Sequence, residues 1–268
     1  MFGIWTFERT DSRWPRARLI LPILATACLL ATEAAAQDRV RSPGSEFEEM
    51  TRDSADLQSN LIELVCSSWH HGMPRSKVIE LGSDTLPLLG EMLRSNEYRH
   101  CWGSICAAIG AFGDTAYFDT LREFVWTRYK GKVDMGSEFA ILTAQGNIAW
   151  LAAGSNRAVD YLIRMTDPAA WHAAPWDFPD AGRDHMERRL ARTAINSLSY
   201  VDDERAREFI ETLSVQEYAA AIRPPVNGGA PTSTNDDSLH VQSLRRVSRD
   251  VHSIGLRQWS QAQEERLH

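Results

Sequence analysis

One unit of sequence recurs along this chain and limits its fold more than any other feature. Leu86, Leu89 and Leu93 repeat as Phe118, Leu121 and Val125 at an offset of 32 residues. Gly113, Phe118 and Leu121 repeat as Gly154, Val159 and Leu162 at an offset of 41. Tyr161 and Leu162 then fall on Phe209 and Ile210 at an offset of 48. Before each joint stands a segment rich in small residues: CAAIGAFG, TAQGNIAWLAAG and ARTAINSLSYV. Apolar residues within the blocks recur at three- and four-residue spacings, the helical period, and no convincing strand alternation is present. Self-similarity at a period of about 20 to 50 residues marks a repeat architecture, in which each unit covers its apolar face with the next. The unit reads as a helix of small residues, a tight turn, and a second helix of larger apolar residues. Small side chains let helices approach closely, and bulky ones fill the space between layers.

The joint itself needs a decision, because Gly110 and Gly113 stand just before Asp114. Closely spaced glycines ahead of a helix can cradle a phosphate. Such a loop needs a preceding strand and G-x-G-x-x-G, or a terminal Gly-Lys-Ser/Thr. Here the preceding WGSICAAI reads as a helix, and Asp114 puts a negative charge where the phosphate would sit. An aspartate there is expected to cap the next helix. Gly82-Ser83-Asp84 and Gly154-Ser155-Asn156 are expected to repeat the same joint.

The segments VIELGSDTLPLLGEML, AIGAFGDTAYFDTLREFV, LAAGSNRAVDYLI and SYVDDERAREFIETL resemble the HEAT-repeat family, including the short HEAT-like repeats also found in phycobilin lyases. The resemblance covers roughly residues 74–213. It implies a right-handed α-solenoid that binds other proteins, and it implies no catalytic residues. Spacing departs from even repeats in the third and fourth units. The expected fold class is all-α: an α-solenoid of HEAT-like helical pairs with a C-terminal capping helix.

The two ends read differently from the repeat. Arg9, Arg13, Arg16 and Arg18 precede the apolar run LILPILATACLLA and a small-residue A-x-A site at Ala34 to Ala36. Residues 1–36 are therefore expected to be a secretory signal, with a lipoprotein signal at Cys28 as an alternative. The 13-residue run is short of the about 20 that span a bilayer, so no stable membrane span is expected after cleavage. A periplasmic or secreted location follows. Removing the signal leaves 25 basic and 33 acidic residues, and no basic block appears anywhere. Such a chain repels a phosphate backbone, so nucleic acid is not an expected partner. Of the remaining cysteines, Cys101 and Cys106 lie five apart in one helix and point in different directions. A bridge from Cys66 to either one, or three buried thiols, stays open.

Residues 37–54 are a polar lead-in, 55–222 the repeat domain, 223–237 a flexible linker and 238–268 a C-terminal helix. Leu244, Val247, Val251 and Ile254 set that last helix's apolar face, which is expected to cover the end of the repeats. One insertion, DPAAWHAAPWDFPDAG at 167–182, interrupts the units.

Little here points to chemistry. His70-His71 and His100-Cys101 lack metal-ligand spacing, since adjacent helical residues point about 100° apart. No G-x-S-x-G elbow is present, and Asp202-Asp203 and Asp236-Asp237 sit where capping explains them. No catalytic, cofactor-binding or metal-binding residue is assigned, and no enzymatic activity is expected. The expected role is a scaffold for a protein or peptide. Trp171, Trp176 and Phe178 of the insertion would anchor the partner, or else fold back to plug the gap between units. Tyr117, Arg122, Tyr161 and Arg207 would line the inner surface, and Arg188 and Arg189, with Arg192, would receive an acidic segment. The competing expectation is a small-ligand or enzyme pocket beside the insertion, with His172, Asp177 and His185 near it. That pocket would have to be deep, with a histidine and a carboxylate meeting inside.

Overall fold

Helix starts fall where side-chain oxygens meet free backbone N–H groups. Asp114 accepts from Ala116 N, Ser155 from Ala158 N, and Asp203 from Arg205 N and Ala206 N. These three caps stand 41 and 48 residues apart, the spacings at which the apolar pattern repeats. Gly113 closes the preceding helix with φ +66°, a left-handed conformation that a side chain disfavours. Gly113 is thus a helix joint, while Gly110 lies within the helix before it. At Gly82 the joint differs: no side chain caps the turn, and Thr85 Oγ1 donates back to the Gly82 carbonyl.

The computed structural model describes residues 56–67, 73–128, 131–224 and 231–267, all within one unit, Gly44–His268. The expected signal 1–36, the lead-in 37–54, His70–His71 and linker residues 225–230 lie outside the described residues. Among the described residues the chain is all-α apart from one two-residue strand pair. The helices are α1 (56–66), α2 (Arg75–Glu80), α3 (Leu86–Arg94), α4 (Trp102–Phe112), α5 (Phe118–Thr127), α6 (Met135–Leu151) and α7 (Asn156–Arg164). They continue as α8 (Arg183–Leu198), α9 (Glu204–Thr212), α10 (Val215–Ile222), α11 (Asn235–Ile254) and α12 (Leu256–Leu267). The strands, β1 (Gly131–Lys132) and β2 (Trp176–Asp177), pair in parallel.

Two kinds of helix sort into two sets of neighbours. The even-numbered α2, α4, α6, α8 and α10 pack on one another in chain order. Each of α4, α6 and α8 also meets odd-numbered helices on the other side. That double contact suits a helix such as α4, whose Trp102, Ile105, Cys106, Ala108, Ile109, Gly110 and Ala111 are all buried. The odd-numbered helices are amphipathic. In α7, Ala158, Val159, Tyr161 and Leu162 are buried while Arg157 and Asp160 face outward.

Successive odd-numbered helices are tied by a ladder of ion pairs: Arg157 to Asp119, Arg205 to Asp160, and Arg249 to Glu211. Asp119 and Asp160 hold equivalent positions in the repeat, as do Arg157 and Arg205. These pairs are exposed, so each contributes little to stability and serves mainly to set register.

Helices α4 and α6 come close together at Gly110. A Cβ built there would lie 2.4 Å from Asn147 Oδ1 and 2.7 Å from Asn147 Cβ. Asn147 is held in place, with Nδ2 donating to the Thr143 carbonyl and Oδ1 accepting from Arg75. Its Cβ moves only with the α6 backbone. Gly110→Ala would gain up to about 1 kcal/mol of helix propensity but lose about 1–3 kcal/mol to overpacking. Sterics wins, and urea denaturation is expected to show net destabilisation. Combining it with Asn147→Ala should recover part of the loss, and strict additivity of the two would rule the clash out.

The C-terminal region is two helices, correcting the single helix expected over 238–268. The chain starts α11 early, within the expected linker, because Thr234 and Asp237 form a capping box. It then breaks at Gly255. The buried face of α11 is Val241, Leu244, Ser248 and Val251, while Ile254 is exposed. Helix α11 packs on α9 and α10. Helix α12 instead meets the turns, where Trp259 lies against Tyr200 and Arg257 donates to the Phe112 carbonyl.

At the α10–α11 contact, His240 stacks on Tyr218 at 5.0 Å and sits 3.1 Å from Asn196 Oδ1. Burial, and then the charge of Arg192, hold its pKa below the ordinary 6.5, against the pull of Asp237. A histidine pKa lowered by folding gives stability that is complete above the ordinary value. It is lost as pH falls toward the folded value, because the unfolded chain then binds a proton that the native ring refuses. Unfolding free energy should therefore decline between about pH 7 and pH 5 more steeply in the wild type than in His240→Asn. Parallel pH profiles would refute this.

Candidate functional site

The insertion at 167–182 folds inward. Asp167 caps a 3-10 turn, Pro168–Trp171, and the chain then runs through β2 against β1. Trp171 and Trp176 are 0% exposed and Phe178 is 2% exposed, which corrects their expected role as exposed anchors. Trp126 and Trp171 are stacked at 5.4 Å, and Trp176 completes the group with Phe178 edge-on at 5.4 Å. Each buried indole satisfies its N–H: Trp171 donates to the Met165 carbonyl and Trp176 to the Val125 carbonyl. Three large aromatics left in water would forfeit more burial than a loop of this length can offset, so they become core.

A polar staple holds the insertion down. Arg183 donates to the carbonyls of Ala174 and Trp176 and reaches Glu187 Oε1 at 3.7 Å. His172 Nδ1 lies 2.7 Å from Glu187 Oε2. A histidine and a buried carboxylate therefore do meet. They meet at the surface, however: the His172 side chain is 67% exposed while Glu187 is 2% exposed. Among the described residues, no hydroxyl or thiol hydrogen-bonds His172, and no ion pair joins Asp177 or His185 to it. Glu187 was missed in the sequence, although it lies one turn before the buried Leu190 and Ala191 on the inward face of α8.

The remaining expected residues do not converge. Tyr161 is buried, correcting its expected place on a binding surface. Its hydroxyl donates to Gln145 Oε1 and accepts from Trp126 Nε1, joining α5, α6 and α7. Burial pushes that phenol far above the ordinary tyrosine range, against the Trp126 hydrogen bond. Tyr117 is half-buried beside Gly90. Arg122 pairs with Asp119, and Arg207 with Glu204. The basic stripe of α8 is also occupied: Arg188 pairs with Asp184 and donates to the Ala220 carbonyl, and Arg189 pairs with Glu138. An acidic partner would have to displace those contacts.

Among the described residues, two open grooves lie between odd-numbered helices. One, of about 590 Å³, runs between α9 and α11 and is lined by Glu211, Leu239, Gln242, Ser243, Arg245, Arg246 and Arg249. A smaller one, of about 250 Å³, lies between α3 and α5, with Leu93, Arg94, Phe124 and Arg128 on its walls. Neither includes His172, Asp177, His185 or Glu187. In the larger groove, Arg245 donates to the Leu213 carbonyl and Arg249 pairs with Glu211. Arg246 is exposed and enters no ion pair among the described residues. Leu239 is 64% exposed. The groove was missed in the sequence, although Leu239 is an apolar residue lying off the buried stripe of α11. Among the described residues, no helix is long and apolar enough to cross a membrane.

Comparisons with models of known protein families, with curated proteins and with solved structures find no match.

Proposed function

We propose that this protein is an exported, HEAT-like α-solenoid that binds a protein or peptide partner along its odd-numbered helices. One observation carries the reading: the two grooves lie between successive odd-numbered helices and set arginine beside apolar side chains. Even-numbered helices stacked in chain order, with α4, α6, α8 and α10 also packed against odd-numbered helices, fit the packing a solenoid requires. The basic N-terminal residues followed by an apolar run support export. The partner segment that fits carries carboxylates next to apolar side chains, for Arg246 and Leu239 respectively. Photo-crosslinkers placed at Leu239 and Gln242 are expected to capture one common partner, and one at exposed Asp180 is not. Arg246→Glu should weaken the capture. No adduct from the groove positions, or an equal adduct from Asp180, would overturn the reading.

A second reading, ligand binding or hydrolysis at His172, is favoured by the buried Glu187 carboxylate on its ring. Loss of partner capture in His172→Ala, with Leu239→Ala unaffected, would favour it over the groove.

A further inference from the structure

At the first helices, three metal-ligating side chains converge. Cys66 ends α1, while His100 and Cys101 end the 3-10 turn Asn96–Cys101 that leads into α4. The ligand atoms of Cys66, His100 and Cys101 all lie within 4.8 Å of one another. Cys66 and Cys101 form a disulfide, with Cα atoms 4.9 Å apart across 35 residues of sequence. The bridge settles the open pairing of the cysteines, and it also holds two sulfurs beside an imidazole.

We infer that these three residues form a redox-gated site: a disulfide when oxidised, and a two-sulfur, one-nitrogen site for a thiophilic d10 cation, Cu(I) or Zn(II), when reduced. Zn–S bonds of about 2.3 Å place two thiolates on one ion roughly 3.8 Å apart, so opening the bridge asks for only a small displacement. His100 is exposed, which leaves its ring free to turn toward the ion. Cys101 is also the N-cap of α4, where the positive end of the helix favours a thiolate. Two thiolates and an imidazole suit soft and borderline ions and reject calcium and magnesium. The three ligands leave a coordination position for water or a further donor.

The chemistry balances with a dithiol as reductant. The dithiol gives two electrons and two protons to the Cys66–Cys101 bridge, which becomes two thiols while the dithiol closes to its own disulfide. The cation then replaces both thiol protons, which leave to solvent. Cys106 takes no part. It is free and fully buried, and burial pushes its thiol far above the ordinary range.

The test uses the full chain, oxidised or reduced under anaerobic conditions, titrated separately with Zn(II) and Cu(I) against a chromophoric chelator. Reduced wild type is expected to take one ion per chain and to melt at a higher temperature with it, and oxidised wild type to take none at this site. His100→Ala should weaken binding by more than about tenfold, the least that even an outer-shell partner costs, and Cys106→Ser should change nothing. Equal affinity in His100→Ala, no ion in the reduced wild type, or binding without a rise in melting temperature would each overturn the site. None of these outcomes bears on partner capture at the groove between α9 and α11.

Discussion

Trp176→Ala is expected to lower the unfolding free energy by about 3–5 kcal/mol, the range for deleting a fully buried aromatic ring. The ring is 0% exposed and touches Trp126 of α5 and Trp171 and Phe178 of the insertion, so its removal opens a cavity walled by both segments. Those walls relax poorly, because the Arg183–Glu187–His172 staple and the β1–β2 pair hold the insertion from both sides. The Val125 carbonyl also loses its indole donor. Trp176→Phe separates the two effects: most of the volume stays, and only the orphaned carbonyl remains, at about 1–3 kcal/mol. Chemical denaturation measures both, and the near-UV circular dichroism of the stacked indoles should collapse in the alanine variant alone. If Trp176→Ala melted with the wild type yet lost its partner, the ring would be a surface anchor after all.

Removing the Cys66–Cys101 bridge should have a comparable effect. Its half-cystines stand 35 residues apart, and loop closure of that length is worth about 3–4 kcal/mol on the chain-entropy account. For a domain of this size that corresponds to a fall in melting temperature of roughly 6–16 °C. The Cys66→Ser, Cys101→Ser double variant measures it directly. The loss should concentrate on α1, whose Leu61 and Val65 are buried in the core but whose chain is tied to α4 by this bridge. Hydrogen exchange is expected to accelerate over 56–66 first. A change below about 1 kcal/mol would mean that apolar contacts alone hold α1 in place.

The proposed binding surface was the least legible part of the chain. Arg189 looked available because its partner, Glu138 on α6, cannot be assigned before the helices are packed, whereas Arg122, Arg188 and Arg207 pair within their own helices at three- or four-residue spacing, a local signal that was overlooked. The groove between α9 and α11 is visible only after α11 docks. Leu239 and Arg246 then stand on its open side, while Val241 and Leu244 turn inward.

The sequence by itself determined the local grammar. Asp114, Ser155 and Asp203 could be read as caps because capping depends on a side-chain oxygen within two or three residues of the free N–H groups. The helical character of the repeat, and the need for a small residue at Gly110, followed from periodicity and size. Only the tertiary structure decided which aromatics are wet and which cysteine is bridged. Trp171 and Trp176 lie 45 or more residues from Trp126, and their burial depends on the space left between α5 and α8. Cys66 had two spatial candidates, and the direction of Cys101 at the start of α4 chose between them. Local hydrogen bonds are short in sequence, whereas burial, pairing and grooves depend on segments brought together from far apart, and a one-dimensional pattern carries little of that.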